Sequence, residues 1–238
     1  MAPLPRLLAA EPPDRDASAG KPSGRTMSPA LWHYCGATML GLAGLGTMGK
    51  ALLHLHGPGA GVIETGIMLI IVMRLASIGI WPSIARRLGS RSALALAYLT
   101  CAIATLALPL AAQASGPALL MALGLFGLAS GGVTVVGWAV LSEVLGAGDP
   151  RDRDTAYTAA FGLFTMSMKV ALGLSAALVG GWLAVSGVSV GVPAEQLQLL
   201  CRSVACMTVA AAAWIAIAHP APGLPRLRMR RRSSPDLP

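Results

Sequence analysis

Six stretches of the chain run for twenty or more positions with few polar residues, and short polar or glycine- and proline-rich segments separate them. The apolar windows fall at roughly 31–55, 61–84, 93–112, 117–144, 158–186 and 198–218. A helix rises about 1.5 Å per residue, so about 20 apolar residues cross the ~30 Å hydrocarbon core of a bilayer. The pattern predicts an all-α integral membrane protein, a six-transmembrane-helix bundle over residues 30–220. The connectors read "HGPGAG", "ARRLGSRS", "AAQASGP", "GAGDPRDRD" and "SGVSVGVPAEQ". Beyond the last window, the prolines and arginines of "HPAPGLPRLRMRRRSSPDLP" stop any helix, so 221–238 reads as a basic tail. Residues 1–29 are rich in Pro, Ala and Arg and lack the long apolar core of a signal peptide. They read as a disordered tail.

Composition supports the membrane assignment. Of 238 residues 55% are hydrophobic and 12% are charged, against about 25% charged in ordinary soluble domains. The net charge of +8 is concentrated in tails and loops, which argues for orientation in a bilayer and against nucleic-acid binding. Arg6, Arg15, Lys21 and Arg25 lie in the first tail, and Arg226, Arg228, Arg230, Arg231 and Arg232 in the last. Arg86, Arg87 and Arg91 fall in the second connector, and Arg151 and Arg153 in the fourth. The first, third and fifth connectors have no lysine or arginine. That alternation places both termini in the cytoplasm of a multi-pass protein of the inner (plasma) membrane, and an even number of spans requires the termini to share a side. Cys35, Cys101, Cys201 and Cys206 all lie in apolar stretches without zinc-site spacing, and read as small buried hydrophobes.

The 28 glycines include Gly127 and Gly131, four apart in the fourth window, and Gly173 and Gly181, which with Ala177 continue the spacing in the fifth. Small residues at that spacing let helix backbones approach closely in lipid. Ionisable residues within or at the edges of windows are Lys50, Glu64, Arg74, Glu143, Lys169 and Arg202. A charge at mid-membrane costs about 2.5–3.5 kcal/mol even on insertion scales, so it usually faces a cavity or a partner. Lys169 lies near the middle of its window, in the column Thr165, Lys169, Gly173, Ala177, Gly181. It is the first candidate for a solute or ion pathway, and the bland alternative is a pairing with a carboxylate on a neighbouring helix. Arg74 and Glu64 share one helix but stand too far apart to pair there. Lys50 and Glu143 lie near window ends, where snorkelling or loop contact suffices. Four histidines near window ends form no metal constellation, and there is no P-loop, GxSxG, HExxH or carboxylate dyad. An enzyme reading has little support, and no cofactor is implied.

The order of features resembles the C-terminal half of a major facilitator superfamily transporter, with the glycoside–pentoside–hexuronide:cation symporters, the family of melibiose permease, as the nearest likeness. "GIWPSIARRLGSRSALALAYL" is similar to the eighth helix and its basic loop, with Arg87, Gly89 and Arg91 on an R-x-G-x-R core. Pro82 and Arg86 stand where the wider superfamily motif has glycine and aspartate. The stretch from Gly137 to Val188 resembles the tenth and eleventh helices; Ser142, Glu143 and Val144 occupy a site usually small, Asp, aliphatic. Lys169 falls on a lysine that the family carries in its eleventh helix, and Arg202 matches an arginine at the start of the twelfth. Trp138 lies on the helix equivalent to one that can present an aromatic; its register is not a close enough match to carry that role over, and with Lys169, Arg74 and Glu64 it stands as a candidate for the solute or ion pathway.

The resemblance covers about residues 30–220 and implies one six-helix half of a twelve-helix fold. In that family carboxylates of the N-terminal half hold the coupling cation (sodium or a proton) and the sugar lies between halves. A half-transporter in a cation-coupled symporter of a sugar or related small solute is therefore the expected function. Its expected partners are lipid, the solute, and a second transporter half or a second copy. The aromatic content of 5% is thin for sugar stacking. Two alternatives stand beside this: a truncated or degenerate non-transporting membrane protein or assembly partner, and a lipid-like or anionic solute, which Lys169 would suit.

Overall fold

The structure, a computed structural model, describes residues 29–54, 60–146, 153–186 and 194–218. These form six helices in chain order: α1 (Pro29–Leu53), α2 (Ala60–Leu88), α3 (Ser90–Ala114), α4 (Gly116–Gly146), α5 (Arg153–Ser186) and α6 (Ala194–Ala218). Among the described residues there is no strand. The six expected windows thus become six helices. The tails expected at 1–29 and 221–238 lie outside the described residues, except Pro29, which opens α1.

Two of the polar connectors nearly vanish. Between α2 and α3 the only non-helical residue is Gly89, which sits at φ +84° and ψ 149°. Side chains other than glycine rarely occupy that region, so the turn depends on this residue. The Gly89 N–H donates to the Ala85 carbonyl at 2.9 Å, and its carbonyl accepts from Ala93 N–H at 3.0 Å, so helical bonding runs up to the turn from both sides. Between α3 and α4 the only break is Ser115, whose hydroxyl accepts from the backbone N–H of Ala118 at 3.3 Å. This is an N-cap interaction that satisfies an otherwise orphaned donor.

Packing sets the lateral order of the helices as α2, α4, α3, α6, α1, α5, with α1 also touching α3 and α4. Helices α2 to α6 are long and apolar enough to cross a membrane. The 25 residues of α1 fall outside that group. Of its polar residues Tyr34, Thr38 and Thr47 are buried, while His33 near its start is exposed.

The glycines divide sharply between two helices. On α4, a Cβ added at Gly127 would lie 2.7 Å from the Ile70 Cα and carbonyl oxygen, and one at Gly131 3.0 Å from the Arg74 Cα. Gly132 leaves room for the Trp81 ring, whose indole N–H donates to the Leu128 carbonyl at 2.9 Å. Here the expected close approach is present, between α4 and α2. On α5 the expectation fails. A Cβ at Gly173 or Gly181 would meet nothing within 4 Å, because α5 packs chiefly on α1 through a different face, with Ala160, Phe164, Ala171, Ser175 and Val179 buried. Only 11% of the apolar window of α2 and 17% of that of α5 are buried, against 61% for α4. The two outermost helices in the lateral order therefore carry most of the uncovered apolar surface.

Cysteine burial also departs from expectation at one position. Cys35, Cys101 and Cys201 are buried, but Cys206 is exposed on α6, and all four are free thiols.

Candidate functional site

Helices α4 and α5 barely touch, and side chains rather than backbone close the gap between them. Trp138 of α4 stacks on Phe161 of α5 with ring centres 5.6 Å apart and planes at 27°. It also meets Phe164 edge-on, at 4.9 Å and 70°. Phe164 in turn stacks on Tyr34 of α1 at 5.7 Å and 12°. Offset and edge-on pairs at these separations are the favoured aromatic geometries. Against these rings lies a small cavity, lined by Tyr34 and Thr38 of α1, Tyr98 of α3, Thr134 and Trp138 of α4, and Phe164 and Met168 of α5.

One glycine lets Tyr98 reach the cavity. Without a side chain at Gly41, the ring of Tyr98 extends from α3 across the body of α1; a Cβ there would fall on that ring. At Gly137 a Cβ would stand 3.4 Å from the Tyr34 hydroxyl, which donates to the Gly137 carbonyl at 2.6 Å. Thr134 returns its own hydroxyl to the Ser130 carbonyl at 3.2 Å. The lining contains no charged side chain. Aromatic faces and hydroxyl groups thus line a small, uncharged cavity. They supply neither a nucleophile with its base nor a set of metal ligands, and among the described residues no group of His, Cys, Asp or Glu could hold a metal ion.

Of the residues expected to line a pathway, Trp138 is the one the structure brings into this cavity. The chain has only five tryptophans, three tyrosines and three phenylalanines, yet five of these eleven rings, Tyr34, Tyr98, Trp138, Phe161 and Phe164, gather here. A low overall content thus yields a dense local cluster. Lys169 follows Met168 directly on α5 but is turned about 100° from it, and its side chain is exposed on the face that carries Gly173 and Gly181. Arg74 and Glu64 are exposed on α2 and stand apart from the cavity. The residues expected in cytoplasmic loops lie in helix ends instead: Arg87 in the last turn of α2 and Glu143 in that of α4 are exposed, while Arg91 in the first turn of α3 is half-buried and its Nε makes no hydrogen bond among the described residues.

Lys50 corrects the expectation that it snorkels at a window end. A helical side chain leans toward the N-terminus of its helix, and that direction carries the Lys50 ammonium back along α1 to mid-α5. There it donates to the Leu172 carbonyl at 2.8 Å and to the Ser175 hydroxyl at 2.6 Å. Gly46 faces the same serine, its missing Cβ leaving 2.9 Å to the Ser175 hydroxyl oxygen. Tyr98 and Thr38 also escaped sequence reasoning. The available signal was a pair of tyrosines and a threonine inside apolar windows, each needing a partner that no neighbour in sequence provides.

A helical membrane bundle whose interior gathers aromatic rings and hydroxyls fits the class of membrane transport proteins. The chain is a member of the MFS/sugar transport protein family: the model of that family matches residues 59–220, from just before α2 to just after α6. No curated protein and no solved structure matches the chain.

Proposed function

We propose that the bundle forms one wall of a pathway for a neutral, sugar-like small solute, driven by a sodium or proton gradient. The observation that carries this reading is the uncharged cavity with its stacked rings Tyr34, Phe164 and Trp138, in a chain of the MFS/sugar transport family. Alternating access in that superfamily rocks two six-helix bundles around a site between them. The sparsely covered helices α2 and α5 are the faces that a second bundle would cover. Exposed to lipid, Lys169 and Arg74 would each cost about 2.5–3.5 kcal/mol, so the facing bundle is expected to carry membrane carboxylates. Two copies of Lys169 would repel, which favours a distinct acidic bundle over a second copy. The arginine pattern of the connectors supports cytoplasmic termini.

The experiment is reconstitution into vesicles with an imposed sodium or proton gradient, together with uptake of a labelled panel of neutral mono- and disaccharides. Trp138→Ala is expected to lower uptake about tenfold, equivalent to ~1.4 kcal/mol, and Lys169→Met to insert normally and abolish it. Undiminished uptake by Trp138→Ala would remove the cavity from the pathway. Coupled uptake by a demonstrably monomeric preparation would refute the need for a second bundle.

A further inference from the structure

The Tyr98 side chain is fully buried, yet its hydroxyl makes no hydrogen bond among the described residues. A buried hydroxyl left without a partner costs on the order of 1–3 kcal/mol, and native interiors seldom tolerate this. The Thr38 hydroxyl is in the same position. It lies close to the Tyr34 hydroxyl without the geometry of a full hydrogen bond, and Thr38 too is buried. Both groups line the same cavity, which encloses about 20 Å³ of space open to the centre of a water molecule. One water needs roughly 10–15 Å³ on that measure and two to four polar partners. The partners are available. Tyr98 can donate, Thr38 can donate or accept, and the Tyr34 oxygen keeps a lone pair after giving its proton to the Gly137 carbonyl.

We propose that Tyr98, Thr38 and Tyr34 form a subsite for a single neutral hydroxylic oxygen. Water fills it in the empty protein, and a hydroxyl of the transported solute replaces that water. The absence of charge in the lining excludes an ion, since nothing there would compensate its desolvation. The volume excludes a whole sugar ring and leaves room for one oxygen. Tyr98 makes α3 a contributor to recognition from behind the wall formed by α1 and α4, through the opening left at Gly41. The water half of the inference stands on geometry alone, and the solute half rests on the transport reading above.

A double-substitution cycle in the full chain, purified in mild detergent without solute, tests the water. Tyr98→Phe and Thr38→Val should each lower the melting midpoint by about 2–4 °C. The double variant should fall little further, because either loss empties the same site. Thr38→Ser, which keeps the hydroxyl, should retain most of the midpoint. A Tyr98→Phe protein that melts at or above the parent, or losses that simply add, would mean a dry, unshared hydroxyl and would overturn the proposal. The solute arm uses tryptophan fluorescence, with Trp138→Phe as the control, titrated with a neutral disaccharide and with its analogues lacking one hydroxyl. One deoxy analogue should lose about tenfold in affinity on the parent and nothing further on Tyr98→Phe. Equal losses on both proteins would overturn the solute half while leaving transport, and the water, in place.

Discussion

Gly127 and Gly173 occupy comparable positions in two apolar helices, and replacing each with alanine should have opposite effects. At Gly127 the new methyl would stand 2.7 Å from two backbone atoms of Ile70. Ordinary contact begins near 3.4 Å, so α2 must retreat from α4 by about 0.7 Å, and backbone cannot rotate aside as a flexible side chain could. Overpacking of this kind costs about 1–3 kcal/mol, of which alanine's better helix propensity returns roughly 0.5–1 kcal/mol. The net loss of up to about 2.5 kcal/mol corresponds to a melting midpoint lower by up to about 10 °C for a chain of this size. At Gly173 the methyl meets nothing within 4 Å, so only the propensity gain remains and the midpoint should rise by about 1–4 °C. Thermal unfolding in mild detergent, followed by circular dichroism on purified protein, measures both. If the two variants shift the midpoint in the same direction by similar amounts, the assignment of α4 to a close interface and of α5 to an open face is wrong.

Three further outcomes follow from single features of the bundle. Lys50→Met removes two hydrogen bonds that tie α1 to α5, worth about 1 kcal/mol together at membrane values. Amide exchange near Leu172 and Ser175 should speed up about fivefold while α3 stays unchanged, and unchanged protection in α5 would show that the clamp contributes nothing. Gly89→Ala forces a side chain into φ +84° and should destabilise the protein by about 1–3 kcal/mol, read as a lower thermal midpoint despite the open space around the residue; a midpoint equal to the parent's would count against that conformation. Reporter fusions at Gly89 and Gln113 should report the cytoplasm and the outside respectively, and the same side for both would sink the proposed orientation.

The helices could be located from sequence because their cause is local. Twenty consecutive apolar residues bounded by glycine, proline or charge specify a span wherever it sits in the bundle, and the six windows match the six helices to within a few residues. Glycine spacing in α4 also carried a correct message, since small residues four apart make a groove for any neighbour. The same spacing in α5 did not reveal that its groove is empty, because the spacing records what a face permits and not what occupies it. Lys50 was misjudged for a related reason: its position near the end of α1 was legible, but the Leu172 carbonyl and Ser175 hydroxyl that draw its ammonium inward lie more than a hundred residues away. The cavity was the least legible part. Its rings and hydroxyls come from α1, α3, α4 and α5, and only packing brings Tyr98 through the gap at Gly41. In a soluble helix an apolar stripe opposite a polar face would have marked the inward side. In lipid the outward face is apolar too, so periodicity identifies the helices but cannot say which of their faces meet, and that was decided by the tertiary structure.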